Sequence, residues 1–217
     1  MKKSLRLDKI QRFAKKYFAE HHKPALGFHN YKRAKNVVKA AKKIANQYDL
    51  SKEEYFVVIA AAWFHSTGYL ISNSDPQSAG ADLAVKFFNT RKIDHIDLDK
   101  ICTVIMAPLQ TDYTEDILIR ILLDAIFYYL GTKSFLKKLE LQRKEQEWVS
   151  GRHIDKTDWL SASYECVVDY KFHTIFALEK LKSGVDKNLK KLREELIERL
   201  IIDEDNLVVI KNPSGQS

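Results

Sequence analysis

His65 is the residue of this chain best placed for metal-ion chemistry. It stands in the last turn of a strongly apolar segment, Ala60-Ala-Ala-Trp-Phe-His-Ser-Thr-Gly-Tyr-Leu70. An imidazole at the end of such a helix, followed by a carboxylate, suits divalent ions. Here the next residue is Ser66, a poor neutral ligand. The replacement of the expected acid by Ser66 argues against a conventional metal enzyme. The structural alternative is that His65 is a hydrogen-bonded histidine of the core.

Asp124 is the second candidate, because it is an acid within a strongly apolar helical segment. An unpaired buried carboxylate is costly, so we predict a partner for Asp124 whatever its function. The His29-Asn30 pair has an ordinary structural explanation, since the Asn30 side chain can cap the helix that follows.

Apolar residues recur at three- and four-residue steps along most of the chain, which predicts amphipathic helices. A capping box, Ser51-Lys-Glu-Glu54, opens the helix that carries His65, and this most apolar helix is predicted to be central. Pro24 and Pro108 are predicted to limit the first and fifth helices, and Gly131 the sixth. The predicted helices cover approximately residues 7–18, 30–48, 51–65, 78–88, 98–106, 114–130, 134–148, 155–181 and 187–200.

The fold is therefore predicted to be all-α, with about eight to nine helices. A length of 217 residues and 45% hydrophobic residues favour one compact domain. We place this domain at residues 1–205, with the helices from about 132 as an appended part, and a partly disordered tail at 206–217. Residues 207–210, Leu-Val-Val-Ile, are predicted to form a stray strand or a docked segment of that tail.

The net charge of +7 is concentrated at the amino terminus. Residues 1–43 contain fourteen Lys or Arg and only two acids, Asp8 and Glu20, a balance of +12. Such a field attracts phosphate-bearing partners, although a solvated lysine-rich helix face is the ordinary interpretation. Nucleic acid is not favoured as a partner, because the sequence contains no known nucleic-acid recognition motif. The aromatic residues of this segment are spaced as core residues of a helix and not as a surface on which bases stack.

Cys102 and Cys166 lie in apolar helical patterns without metal-ligand spacing, which predicts buried, reduced thiols and a cytoplasmic location. The first residues are polar, and no segment approaches eighteen consecutive apolar residues. We therefore expect neither secretion nor a membrane span.

Four segments, in their order and spacing, resemble the HD-domain phosphohydrolase superfamily, in particular a bacterial branch of predicted metal-dependent phosphohydrolases. The similarity extends over about residues 5–200 and implies a compact helical fold. The segments are Phe28-His-Asn-Tyr-Lys-Arg33, Trp63-Phe-His-Ser66, Ser74-Asp-Pro-Gln-Ser78 and Ile121-Leu-Leu-Asp124.

The resemblance also implies roles for three residues. His29 matches the family's general acid, and His65 and Asp124 match ligands of a divalent ion such as Mg, Mn, Fe or Zn. Two ligands are fewer than the three that catalytic sites usually keep. Metal-assisted hydrolysis also needs the bound ion to acidify a water and to neutralise phosphate charge.

Three positions depart from the family pattern, which makes the metal motif degenerate. Arg33 stands where the family has its second histidine, Ser66 where it has the motif's aspartate, and Ser74 where it often has an auxiliary histidine. A guanidinium is always charged and only donates, so it would repel a cation. We therefore predict that Arg33 occupies the metal position and pairs with Asp124.

Two functions follow from this pattern. The favoured one is a non-catalytic relative without a cofactor, which binds a nucleotide or other phosphorylated ligand, or a protein partner. Asn30, Lys32 and Arg33 are its candidate ligand-binding residues, with a solvated face as the alternative for the cations. The other function is an active metal-dependent phosphohydrolase or phosphodiesterase, in which His29 protonates the leaving oxygen and His65 and Asp124 bind one ion.

Overall fold

A computed structural model describes residues 2–91, 96–107 and 114–211, with side chains described between residues 6 and 200. Within those ranges the chain forms nine α-helices and no strand, which confirms the all-α prediction. The helices are α1 Lys2–Glu20, α2 Tyr31–Ala45, α3 Lys52–Gly68, α4 Pro76–Thr90, α5 Leu98–Ile105, α6 Ile117–Phe127, α7 Phe135–Ser150, α8 Lys156–Asp169 and α9 Ile175–Lys211, with a 3₁₀ helix at Tyr128–Gly131 after α6. None of the described helices has the length and apolar character needed to cross a membrane.

The helix α3 is the centre of the fold, as predicted. Every residue from 56 to 68 is buried, and α3 contacts α1, α2, α4, α5 and α6. A helix that is apolar on all sides must be covered on all sides. The predicted capping box is present, because Ser51 Oγ accepts from the Glu54 N–H and the Glu54 carboxylate accepts from the Ser51 N–H.

Two hydrophobic clusters divide the interior. The larger one surrounds α3 and includes residues from α1 to α6. The smaller one joins α7, α8 and α9 to the 3₁₀ helix and to the loop before α2, through Phe28, Tyr129, Phe135, Leu160 and Leu192 among others. The residues between α1 and α2 and those after α6 therefore lie where the two clusters meet.

Two glycines let α3 and α4 approach at backbone distance. A Cβ at Gly68, the last residue of α3, would overlap the carbonyl oxygen of Pro76 at the start of α4. A Cβ at Gly80, in α4, would overlap the carbonyl oxygen of Phe64. The last turn of α3, which carries His65, is thus in direct main-chain contact with α4.

The carboxy-terminal helices differ from the prediction. The helix predicted at 155–181 is interrupted at residues 170–174, between α8 and α9. The interruption predicted at 182–186 is absent, because α9 continues through these residues. Gly184 lies within α9 without interrupting it. A Cβ at this position would overlap the carbonyl oxygen of Gly131, so the glycine allows the backbone of α9 to approach that of Gly131. The stray strand predicted at 207–210 is also wrong, since those residues belong to α9. Residues 206–211 of the predicted tail also belong to α9, while Pro108 and residues 212–217 lie outside the described residues. The burial predicted for the two thiols is wrong, since Cys102 is half-buried and Cys166 is exposed.

Candidate functional site

Five of the predicted site residues line one small cavity. They are His29, Asn30, Arg33, His65 and Ser66, and Tyr69 and parts of α2 and α6 complete the wall. Its volume is about 10 Å³, which is close to the space that one water molecule requires. The cavity therefore has no room for a nucleotide or a phosphate ester. Asp124, Lys32 and Ser74 do not line it.

The His65 side chain is buried and has no hydrogen-bond partner. It is 4% exposed, and neither ring nitrogen is bonded to a described protein group. Burial lowers the pKa of His65 to about 3, and the nearby positive charges of Arg33 and His29 add to this effect. His65 is therefore neutral at pH 7. It is a core histidine, although the hydrogen bond expected of one is absent among the described groups.

Arg33 is held by aromatic rings. Its Cζ lies 3.9 Å from the ring centroid of Phe28 and 5.1 Å from that of Tyr129. Its Nη2 donates to the Ile126 carbonyl oxygen at 3.4 Å. Within the described part of the chain no carboxylate forms an ion pair with this guanidinium. Arg33 thus brings to the cavity wall a positive charge that no ion pair balances.

The predicted pair between Arg33 and Asp124 is wrong. Asp124 is fully buried, and its carboxylate instead binds the segment between α8 and α9. Oδ1 accepts from the His173 N–H at 2.9 Å and the Tyr170 hydroxyl at 3.3 Å, and Oδ2 accepts from the Thr174 N–H at 2.7 Å and hydroxyl at 2.6 Å. The prediction that Asp124 needs a partner is confirmed, but the partners are hydrogen-bond donors near the carboxy terminus.

Glu145, in the middle of α7, is a site residue that the sequence did not reveal. It is 6% exposed, and its Oε2 accepts from the N–H groups of Phe28 and His29 at 2.8 and 2.9 Å. Its Oε1 contacts His29 Nδ1. Burial alone would raise the pKa of Glu145, but the bonds from the imidazole and the two backbone groups outweigh burial and lower it. Glu145 is therefore ionised, and His29 Nδ1–H is the donor between them.

This contact fixes the orientation of the His29 ring. The imidazole also stacks on Tyr69, with 3.6 Å between ring centroids and an interplanar angle of 7°. Burial lowers the pKa of His29, which the Glu145 carboxylate partly reverses and the Arg33 charge reinforces. A neutral His29 whose Nδ1 carries the proton presents an unprotonated Nε2. No signal in the local sequence distinguishes Glu145 from the other charged residues of α7.

The remaining predicted residues have structural roles or are exposed. Asn30 caps α2, as the structural alternative predicted, because its Oδ1 accepts from the Arg33 N–H at 3.0 Å. Ser66 Oγ donates to the Ala62 carbonyl oxygen at 3.0 Å. Lys32 and Ser74 are exposed.

These residues do not fit the divalent ion that the family resemblance implies. Asp124 binds residues 170–174 and lies outside the cavity, while Ser66 is bonded to its own helix. Arg33 adds positive charge beside His29 and His65. In the described part of the chain, no three His, Cys, Asp or Glu side chains are grouped closely enough to hold a metal ion. An ion in the cavity would have the imidazoles of His29 and His65 and the guanidinium of Arg33 as neighbours, with no carboxylate lining the cavity and one ligand fewer than the three that catalytic sites usually keep.

No family model, curated protein or solved structure matches this chain. The membership of the HD-domain superfamily therefore stays a prediction from the sequence motifs.

The burial of His65 predicts a loss of stability in acid. The unfolded chain protonates this imidazole near pH 6.5, whereas the folded chain does so only near pH 3. Its contribution to stability is thus fully present above pH 6.5. It falls by up to about 1.4 kcal/mol per pH unit as the pH decreases from about 6.5 towards 3.

Urea unfolding of the parent and of His65→Met at pH 7, 5.5 and 4.5 measures this effect. The variant is expected to lose less stability with decreasing pH, and His22→Gln, at an exposed histidine, is the matched control. Parallel pH profiles for the parent and His65→Met would show that the imidazole is not buried in neutral form.

Proposed function

We propose that this chain is a metal-independent relative of the HD-domain phosphohydrolases that binds a phosphorylated small molecule without hydrolysing it. The observation that carries the proposal is the state of Arg33. A half-buried guanidinium with one long hydrogen bond and no ion pair retains most of its donors for an anionic ligand. Arg33 also stands where the family's second histidine would bind the metal.

The electrostatics of the cavity support the same function. His65 is neutral, the carboxylate of Asp124 is bound elsewhere, that of Glu145 is bound by the Phe28 and His29 N–H groups and by the His29 ring, and Arg33 supplies a positive charge on the cavity wall. A phosphate oxygen is attracted to such a wall, whereas a divalent ion is repelled from it.

Binding is tested with phosphorylated probes in a buffer that contains EDTA. Isothermal titration calorimetry with AMP, ADP and inorganic pyrophosphate is expected to show binding by at least one probe. Arg33→Gln is expected to weaken that binding at least tenfold, because a charge-assisted hydrogen bond contributes roughly 1.5–3 kcal/mol. Arg12→Gln, which removes an exposed arginine of α1, is the matched control and should leave the affinity unchanged.

Two results would contradict this proposal. One is the absence of binding by all three probes. The other is stoichiometric Mn, Fe, Zn or Mg in the purified protein, measured by mass spectrometry, together with loss of that metal in His65→Met.

The second candidate function is hydrolysis, and the contact between Glu145 and His29 favours it. A histidine oriented by a carboxylate is the arrangement of a general acid or base. If His29 has this role, metal-supplemented turnover of phosphate esters is expected to fall at least a hundredfold in His29→Gln. Equal turnover in the parent and the variant would exclude it.

A further inference from the structure

A second, larger pocket shares Arg33, Val37 and Ile126 with the histidine cavity. Its walls are α2, the end of α6, the 3₁₀ helix and the first part of α7. The volume is about 330 Å³, which falls within the range of roughly 300–1,000 Å³ for small-molecule sites. The space that the histidine cavity lacks is therefore present beside it.

The charged residues of this pocket are all basic. Arg33, Lys39, Lys43 and Lys138 line it, and no Asp or Glu does. None of the four takes part in an ion pair within the described part of the chain. Five lysines elsewhere in the described part of the chain do form ion pairs, for example Lys100 with Asp116 at 2.5 Å. A concentration of uncompensated cations in a concave site attracts an anion.

Two tyrosines position these cations. Lys43 Nζ donates to the Tyr128 hydroxyl at 3.1 Å, and Lys138 Nζ lies 5.3 Å from the centroid of the Tyr129 ring. Contact with the rings directs the ammonium groups along the wall of the pocket. The half-buried Tyr128 ring adds an apolar surface to the pocket, whereas the Tyr129 ring is only 7% exposed and is covered by Arg33 and Lys138.

Lys138 shows that the positive charges are crowded. Partial burial lowers the pKa of Lys138 to about 8, and the nearby charges of Arg33 and Lys32 add to this effect. Lys32 is exposed and outside the pocket, so the positive field extends from its wall to the surface of α2. An anionic ligand would relieve this repulsion.

We propose that the pocket between α2, the 3₁₀ helix and α7 is the ligand site, and that its ligand is a mononucleotide-sized compound with a terminal phosphate or diphosphate. Arg33, Lys43 and Lys138 bind the phosphate oxygens, and Tyr128 contacts the planar part of the ligand. This inference rests on the proposed function, for which it names the location and the ligand class.

The test compares the pocket lysines with lysines elsewhere on α2. Lys43→Gln and Lys138→Gln are each expected to weaken the binding of ADP at least fivefold at 150 mM salt. Lys35→Gln and Lys42→Gln remove the same charge from the same region but do not line the pocket, and they should change the affinity less than twofold. Adenosine and inorganic phosphate, each lacking one half of the ligand, are expected to bind at least tenfold more weakly than ADP.

The possible outcomes separate this inference from the proposed function. If ADP binding depends on Arg33 but not on Lys43 or Lys138, the proposed function holds and the pocket is not the site. If all four lysine variants weaken binding equally, the interaction is with the general charge of α2, and the pocket is again excluded. If neither ADP, AMP nor pyrophosphate binds, both proposals fail. Melting temperatures of the variants within about 3 °C of the parent confirm that each one is folded.

Discussion

Replacing Asp124 with alanine is expected to lower the free energy of unfolding by about 3–5 kcal/mol. The carboxylate accepts four hydrogen bonds from Tyr170, His173 and Thr174, and two of the donors are backbone N–H groups. Without it the two donors of Thr174 remain buried without a partner, those of Tyr170 and His173 remain half-buried, and a cavity is left beside α6. Thr174 also accepts from the Ala177 N–H in the first turn of α9, so the start of that helix is expected to loosen as well.

Urea denaturation followed by circular dichroism measures the change, and Tyr170→Phe is the control. That variant removes a single 3.3 Å hydrogen bond from the same carboxylate and should cost about 1 kcal/mol or less. A loss below 1 kcal/mol in Asp124→Ala would mean that the carboxylate does not hold the segment between α8 and α9.

Replacing Glu145 with alanine is expected to cost about 2–4 kcal/mol, because it leaves the N–H groups of Phe28 and His29 without acceptors. The same change removes the negative charge that raises the pKa of His29, so that pKa should decrease further. Two-dimensional NMR of the imidazole protons across pH 4–8 measures this shift. Unfolding experiments on the same protein measure the loss of stability.

The neighbouring Gln146→Ala is the control, since Gln146 is exposed on the same turn of α7. It is expected to change neither the stability nor the His29 titration. A His29 titration that is unchanged in Glu145→Ala would contradict the contact between the two side chains, even if the variant is less stable.

Local signals in the sequence were enough to predict most of the helices. The capping box at Ser51 and the apolar pattern of α3 act over a few residues, and both are present as predicted. The break predicted at 182–186 was wrong, because the local sequence does not show whether a glycine interrupts a helix or accommodates a distant backbone. Gly184 is needed because the carbonyl group of Gly131, more than fifty residues away in the sequence, leaves no space for a Cβ.

The candidate site shows the same limit. The motifs located His29, Arg33 and His65, which the structure brings together around one cavity. They did not locate Glu145, because an acid in a charged helix has the sequence pattern of a surface residue. Its role depends on the packing of α7 against the loop before α2, which the sequence pattern does not predict. The pair predicted between Arg33 and Asp124 was wrong for a related reason. Opposite charges suggested an ion pair, while the donors of residues 170–174 already satisfy the carboxylate.

The glycine contacts between α3 and α4 have a mechanical consequence for the site. At Gly68 and Gly80 main chain lies directly on main chain, so no side chain separates the two helices at these points and can absorb a displacement. The His65 side of the cavity is therefore a rigid wall. Adjustment to an incoming ligand is expected on the opposite side of the cavity, through rotation of the long Arg33 side chain.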